Sequence, residues 1–176
     1  LAGEFIRTKV APELDAFRFA SYASKEGVTQ KEETLEDGAA VLAALRVATN
    51  AMDEAEVPME DRHLFITPTL DGMIADLDTT KSREILSRFA SKTLVPQTRF
   101  YTAIDQKDGH TGGQEAGGYA KADDGKELNF MVIHKPALIQ FEKHVAPKIV
   151  TPEQNQDADA YKYGYRNVGI ADVYKN

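Results

Sequence analysis

The chain contains no cysteine and no tryptophan. Without cysteine, disulfides, thiolate metal sites and thiol nucleophiles are excluded. Basic residues are in deficit: 21 Lys and Arg stand against 28 Asp and Glu, for a net charge of -7 and a pI near 5.1. A broad nucleic-acid face needs clustered Lys and Arg against phosphate, so the balance argues against one and leaves room only for a local basic patch. No run of about 18 apolar residues occurs, so no membrane-spanning helix is expected. The opening LAGEFIRTKV lacks a basic region followed by an apolar run and is not a signal peptide.

What is present is globular usage over 176 residues, 42% hydrophobic and 28% charged, with seven Tyr and eight Phe supplying the aromatics. One domain of ordinary size is the default. There is no internal repeat and no low-complexity tract.

Local patterns predict the elements. Pro12 suits a first helical turn, and Leu14, Phe17, Phe19 and Tyr22 follow before Gly27, so a helix is expected over 12–26. Val41, Leu42, Leu45, Ala48 and Met52 recur at three- and four-residue steps. They predict a second helix over 35–55, with Thr34 and Asp37 spaced like a capping box. Pro58 breaks it, and Leu64, Phe65 and Ile66 form a short apolar run that reads as a strand buried on both faces. Helices over 68–77 and 82–91 come next. Residues 98–104 (TRFYTAI) are β-branched and aromatic and predict a strand. Residues 105–126 form a long glycine-rich loop, a length that is often functional or mobile. Residues 128–134 predict a buried strand, 137–145 a short helix, and 148–150 and 161–174 exposed strands. Such an order favours helices packed on a mixed sheet.

The glycine-rich loop fails each phosphate signature. Gly125-Lys126 is followed by Glu127 instead of Ser or Thr, Ala120 stands where the first glycine of a P-loop belongs, and G-x-G-x-x-G is missing. A calcium loop from Asp105 fails because Lys107 occupies its third position and Ala116 its twelfth. The expected structure is a mobile hairpin with turns at its Asp and Gly residues. The histidines, His63, His110, His134 and His144, have no H-x-x-x-H spacing, and single surface or strand-end roles are expected. No G-x-S-x-G elbow surrounds a serine. The adjacent carboxylates Asp53-Glu54, Glu60-Asp61 and Asp123-Asp124 point apart on regular elements and read as a solvated face. Lys81, Arg83, Arg88 and Lys92 form one basic cluster, expected to meet an acidic surface before nucleic acid. The residues therefore assign no catalytic, cofactor-binding or metal-binding role, and no cofactor is expected.

Two stretches resemble tailed-phage major capsid proteins. The first spans 51–74 (AMDEAEVPMEDRHLFITPTLDGMI), where Val57, Pro58, Asp61, Arg62, Leu64, Phe65, Thr67 and Pro68 carry the match. The second spans 129–176, with His134-Lys135, residues 140–143, Lys148-Ile149, Pro152 and Tyr165-Arg166 to Asp172, while PELDAFRF at 12–19 fits the segment upstream. The resemblance touches about two-thirds of the chain. It implies the Hong Kong phage-type capsid fold, here an α+β piece with a mixed central sheet flanked by helices like the axial domain. It further implies a fragment lacking the N-terminal arm, extended loop and spine helix. In domain terms, 1–34 would be a connecting helical segment, 35–145 the axial-like core with loop 105–126, and 146–176 strands of a peripheral-like domain; alternatively 1–176 is a single domain.

The resemblance implies a virion structural protein whose copies assemble as hexamers and pentamers into an icosahedral shell enclosing DNA. Scaffolding and portal proteins would be further partners, and the host cytoplasm the place of assembly. Subunit-contact candidates lie in and beside the long loop: Lys107, Asp108, His110, Gln114, Glu115 and Lys121. Two alternatives stay open. One is a small hydrolase or transferase using His110 with Asp105 or Asp108 under the loop. The other is a bacterial nanocompartment shell protein, which shares the capsid fold.

Overall fold

A computed structural model describes residues 2–77 and 79–174. Leu1, Asp78, Lys175 and Asn176 lie outside the described residues, so the last two positions of the second matched stretch do too. The fold is α+β.

Helix begins before Pro12. Helix α1 (Ala2–Phe5) runs through a π-helical turn (Ile6–Val10) into α2 (Ala11–Ala23). Proline has no N–H to give the carbonyl four residues back, and its ring crowds that carbonyl. The backbone loosens just ahead of it, and the Ala11 N–H reaches the Ile6 carbonyl five residues back. The helix stops at Ala23, three residues short of the expected end. Helix α3 (Gly38–Glu54) starts later than expected because Asp37 itself is the N-cap, accepting the Ala40 N–H at 2.8 Å. The capping box is found instead at α5 (Thr80–Leu86), where Thr79 and Ser82 satisfy each other's backbone N–H.

Strand β1 (Arg62–Ile66) is the centre of a three-stranded mixed sheet. Helix α4 (Pro68–Leu77) and α5 form the crossover to the parallel strand β2 (Ser91–Leu94), and β5 (Phe130–His134) pairs antiparallel on the other side. The β2 segment falls partly within the helix expected over 82–91. Its four residues SKTL are all exposed, so an edge strand here has no apolar alternation to reveal it.

The period of two along β1 serves two cores. Leu64 and Ile66 join Val41, Leu42 and Leu45 of α3, Leu70 and Ile74 of α4, and Ile85 of α5. Phe65 joins Phe19, Val95 and Phe100. Phe19 meets Phe65 and Phe100 edge-on at 5.3 and 4.9 Å between ring centres. One face of the strand is thus buried and the other, with His63 and Phe65, half-buried, where the apolar run implied burial on both.

Arg62, at the head of β1, is fully buried. Its guanidinium donates to Asp53 Oδ1 at 2.6 Å, to the Pro58 carbonyl at 2.9 Å and to the Val57 carbonyl. Asp53 Oδ2 also receives Arg88 at 3.2 Å. These bonds hold the Asp53 carboxyl below the usual carboxylate range, the Arg62 hydrogen bond first. Asp53 therefore fastens two arginines from an exposed position, and its neighbour Glu54 is exposed as well. The loop so pinned holds Glu56 and Asp61 at φ 55° and 58°, a strained region for side-chain-bearing residues.

Two sequence expectations fail. Residues 98–103 do not form a strand, and of the expected segment only Ile104 enters one, at the start of Ile104–Gln106. Pro96 leads into a short 3-10 turn (Gln97–Arg99), Phe100 is fully buried, and Tyr101 makes one isolated bridge to Glu127. Burying Phe100 against Phe19 outweighs local β-propensity. Nor do residues 137–145 form a helix. They begin β6 (Leu138–Val150), which pairs antiparallel with β7 (Lys162–Val173) in a separate two-stranded ribbon. The partner strand lies beyond a polar loop and is invisible to a local pattern. Since β6 runs unbroken through 145 and 146, the expected boundary there divides a strand.

Gly38 carries the close approach of α3 to α4: a Cβ at this position would overlap the Met73 carbonyl and crowd Leu77. Gly38→Ala is expected to destabilise the fold by about 1–3 kcal/mol, the usual range for overpacking. Urea unfolding of the variant beside the natural chain measures it.

Candidate subunit-contact surfaces

The residues 105–126 fold as a hairpin. Its short strands β3 (Ile104–Gln106) and β4 (Tyr119–Lys121) pair antiparallel, with Gln106 opposite Tyr119 and Ile104 opposite Lys121. The root is fastened to the body at two points, with an ion pair of the body beside them. Tyr119 Oη donates to the Thr98 carbonyl at 2.9 Å, Gln106 Nε2 donates to Glu13 at 3.3 Å, and Arg99 meets Asp15 at 2.9 Å beside it. Partial burial pushes the Tyr119 phenol above its usual value.

The tip is organised by Asp108. Its Oδ1 accepts the N–H groups of His110 at 2.7 Å and Thr111 at 2.8 Å, and its Oδ2 accepts the Thr111 hydroxyl at 2.6 Å. These three bonds, the Thr111 hydroxyl first, hold the carboxyl down at about 2. Gln114 accepts the Asp108 N–H at 3.2 Å, and Glu115 accepts the Gly113 N–H at 3.0 Å, which lowers its carboxyl as well. Gly117 and Gly118, at φ 61° and 79°, turn the chain back into β4 through a region that side chains avoid.

The structure thus brings Asp108, His110 and Gln114 into one turn and sets Glu115 next to it, while Lys107 flanks the turn and Lys121 lies at the far end of β4. All but the half-buried Gln114 are exposed. Asp108 bonds the backbone of His110, so its carboxylate orders a turn and does not orient the imidazole.

The remaining histidines are scattered. His63 Nδ1 lies 2.7 Å from Ser91 Oγ across β1 and β2, His134 ends β5 opposite Arg62, and His144 is exposed on the ribbon. No group of three or more His, Asp or Glu positioned for a metal ion occurs among the described residues. Within the basic cluster, Arg88 bonds Asp53 and Lys92 bonds Asp71 at 2.6 Å, acids of the same chain.

Local sequence patterns missed the ribbon as a surface. β6 has 13 residues and β7 has 12, and among the described residues they pair only with each other. At 3.3 Å per residue the ribbon extends about 40 Å. Helix α2 holds its root: Arg18 bonds Glu142 at 2.5 Å, and Tyr22 Oη lies 3.4 Å from Gln140 Oε1. Lys25, just past α2, meets Asp172 at 2.7 Å and lowers that carboxyl. An open groove of about 1250 Å³ separates α2, the hairpin and the ribbon, bordered by Leu14, Phe17, Tyr119, Phe141 and Ile170 among others. The signal that could have found the ribbon was the alternation Ile139, Phe141 on one side of a bulge and Val145, Ile149 on the other. The bulge at residues 142–144 breaks its phase.

Asp108 is depressed in the folded state, so its contribution is complete above the ordinary carboxylate value of about 3.9 and lost as pH falls through about 2. The His110 and Thr111 amide resonances are expected to titrate together with a midpoint near 2. In Asp108→Asn both titrations disappear. Midpoints near 4 would mean that the turn bonds do not hold in solution.

Compared with known proteins, the chain matches no family, no curated protein and no solved structure.

Proposed function

We propose that this chain is a capsid subunit of a tailed phage, built so that copies fit against copies in an icosahedral shell. The observation that carries the reading is the ribbon: about 40 Å of paired strand with no third strand among the described residues, and with Ile139, Phe141, Val168 and Ile170 exposed in a row on one face and Val145 and Ile149 exposed on the other. Single exposed apolar residues are ordinary, but a row of them on a projecting element marks an interaction surface. Two-stranded ribbons are marginal in water by themselves, which favours an element completed by neighbours.

The resemblance to capsid proteins supports the same reading. The first matched stretch coincides with the Arg62 clamp, β1 and α4, and the second with β5 and the ribbon. On this reading the three-stranded sheet with α3 to α5 corresponds to the axial domain and the ribbon to the peripheral domain. The self-contained Asp108 turn gives the hairpin tip a defined shape for a neighbouring copy. Shell contacts can be individually weak because closure by symmetry makes them multivalent. Copies of the chain, arranged as hexamers and pentamers with scaffolding and portal proteins, would be the partners, and the virion the location. No helix among the described residues is long and apolar enough to cross a membrane.

Expression of the full-length chain with its scaffold is expected to give shells or capsomers by electron microscopy. Monodisperse single subunits under every assembly condition would overturn the proposal.

A further inference from the structure

The ribbon has two unlike faces. Glu142 and Gln140, bonded by Arg18 and Tyr22 of α2, lie on one of them. Alternation places Ile139 and Phe141 on the other, with their cross-strand partners Asp172 and Ile170. Along β7 that second face continues as Asp172, Ile170, Val168, Arg166, Gly164 and Lys162, and past the bulge β6 adds His144, Ala146 and Lys148. It is a polarised strip, acidic at the root, apolar in the middle and basic toward the tip.

The middle is bare: Phe141 and Ile170 are each 61% exposed, and Ile139 and Val168 42% and 41%. The ends are chemically unfinished. Asp172 Oδ1 takes both Lys25 and the Val173 N–H, leaving Oδ2 without a bonded partner among the described residues. Arg166, paired with Ala146 farther along the same face, is exposed, and its guanidinium is bonded to no described residue.

We infer that this face docks the same face of a second copy across a two-fold axis lying along the hydrogen-bond direction between Val168 and Ile170. A half-turn about that axis reverses the strip. Val168 then lies over the second copy's Ile170, Ile139 over its Ala146, and Arg166 against the open oxygen of its Asp172. A half-turn about the strand direction would instead lay Arg166 over the second copy's Ala146 and Lys148 over its Gly164, basic end on basic end and far from Asp172, so charge selects the antiparallel stack. The same patch serves both partners, which is the isologous contact of closed assemblies. The strip is narrow, well below the roughly 1,000 Å² that a stable dimer needs, so the contact forms where other contacts of a shell reinforce it. This inference rests on the shell reading and names one of its contacts.

The 176 residues hold no cysteine, so single-cysteine variants of this chain report the contact cleanly. Ile170→Cys, treated with a short bis-maleimide spanning about the 10 Å between stacked sheets, is expected to give cross-linked dimers in assembled particles. Tyr163→Cys, on the opposite face, is expected to give none. Adding Arg166→Glu is expected to cut the dimer yield about tenfold, while Arg166→Lys keeps most of it. Circular dichroism checks that each variant folds. If particles form and Ile170→Cys yields no dimer, or Tyr163→Cys yields as much, the two-fold contact is wrong and the shell reading stands. If the natural chain forms no particles at all, both fall.

Discussion

Burying a guanidinium at the head of the central strand is the constraint around which the fold is arranged. A charge removed from water costs several kcal/mol unless it is paired and each of its nitrogens is hydrogen-bonded. Arg62 meets that demand with one carboxylate from the end of α3 and two carbonyls from the loop between. The bonds fix the loop in a strained path through Glu56 and Asp61, and they set the start of β1 relative to α3. Because Leu64, Phe65 and Ile66 then alternate between two cores, the placement of Arg62 decides how both pack. The ribbon inherits the same anchor: the Lys135 N–H bonds the Asp61 carbonyl, one residue from the clamp and three from the first residue of β6.

From that anchor the two projections differ in kind. The hairpin satisfies itself, with Asp108 absorbing three donors and tyrosine and glutamine side chains fastening its root. The ribbon does not satisfy itself. Its root is bonded to α2, but one face ends in exposed aromatic and branched side chains and an unbonded arginine. Under the proposed shell function, one finished and one unfinished surface would suit joining copies by small, repeated contacts.

Much of the body was legible in the residues. Pro68, the stripe Val41, Leu42, Leu45 and the run Leu64 to Ile66 each signal their element by local chemistry, and the structure places them accordingly. Legibility failed where distant partners decide. SKTL becomes a strand because β1 offers its edge, and Phe100 leaves the extended path because Phe19 buries it. Residues 138–145 become a strand because 167–173 lie beside them. The candidate site was half readable: glycine and aspartate announced the hairpin tip, but the bulge at 142–144 hid the larger surface.

The central claim is that the ribbon's bare face is covered by other copies. Hydroxyl-radical footprinting of the full-length protein before and after assembly reads this directly, side chain by side chain. The account predicts that oxidation of Phe141 and Ile170 falls several-fold in particles, while that of the already buried Phe19 and Phe100 is unchanged. Equal oxidation of Phe141 and Ile170 in free subunits and in particles would contradict it.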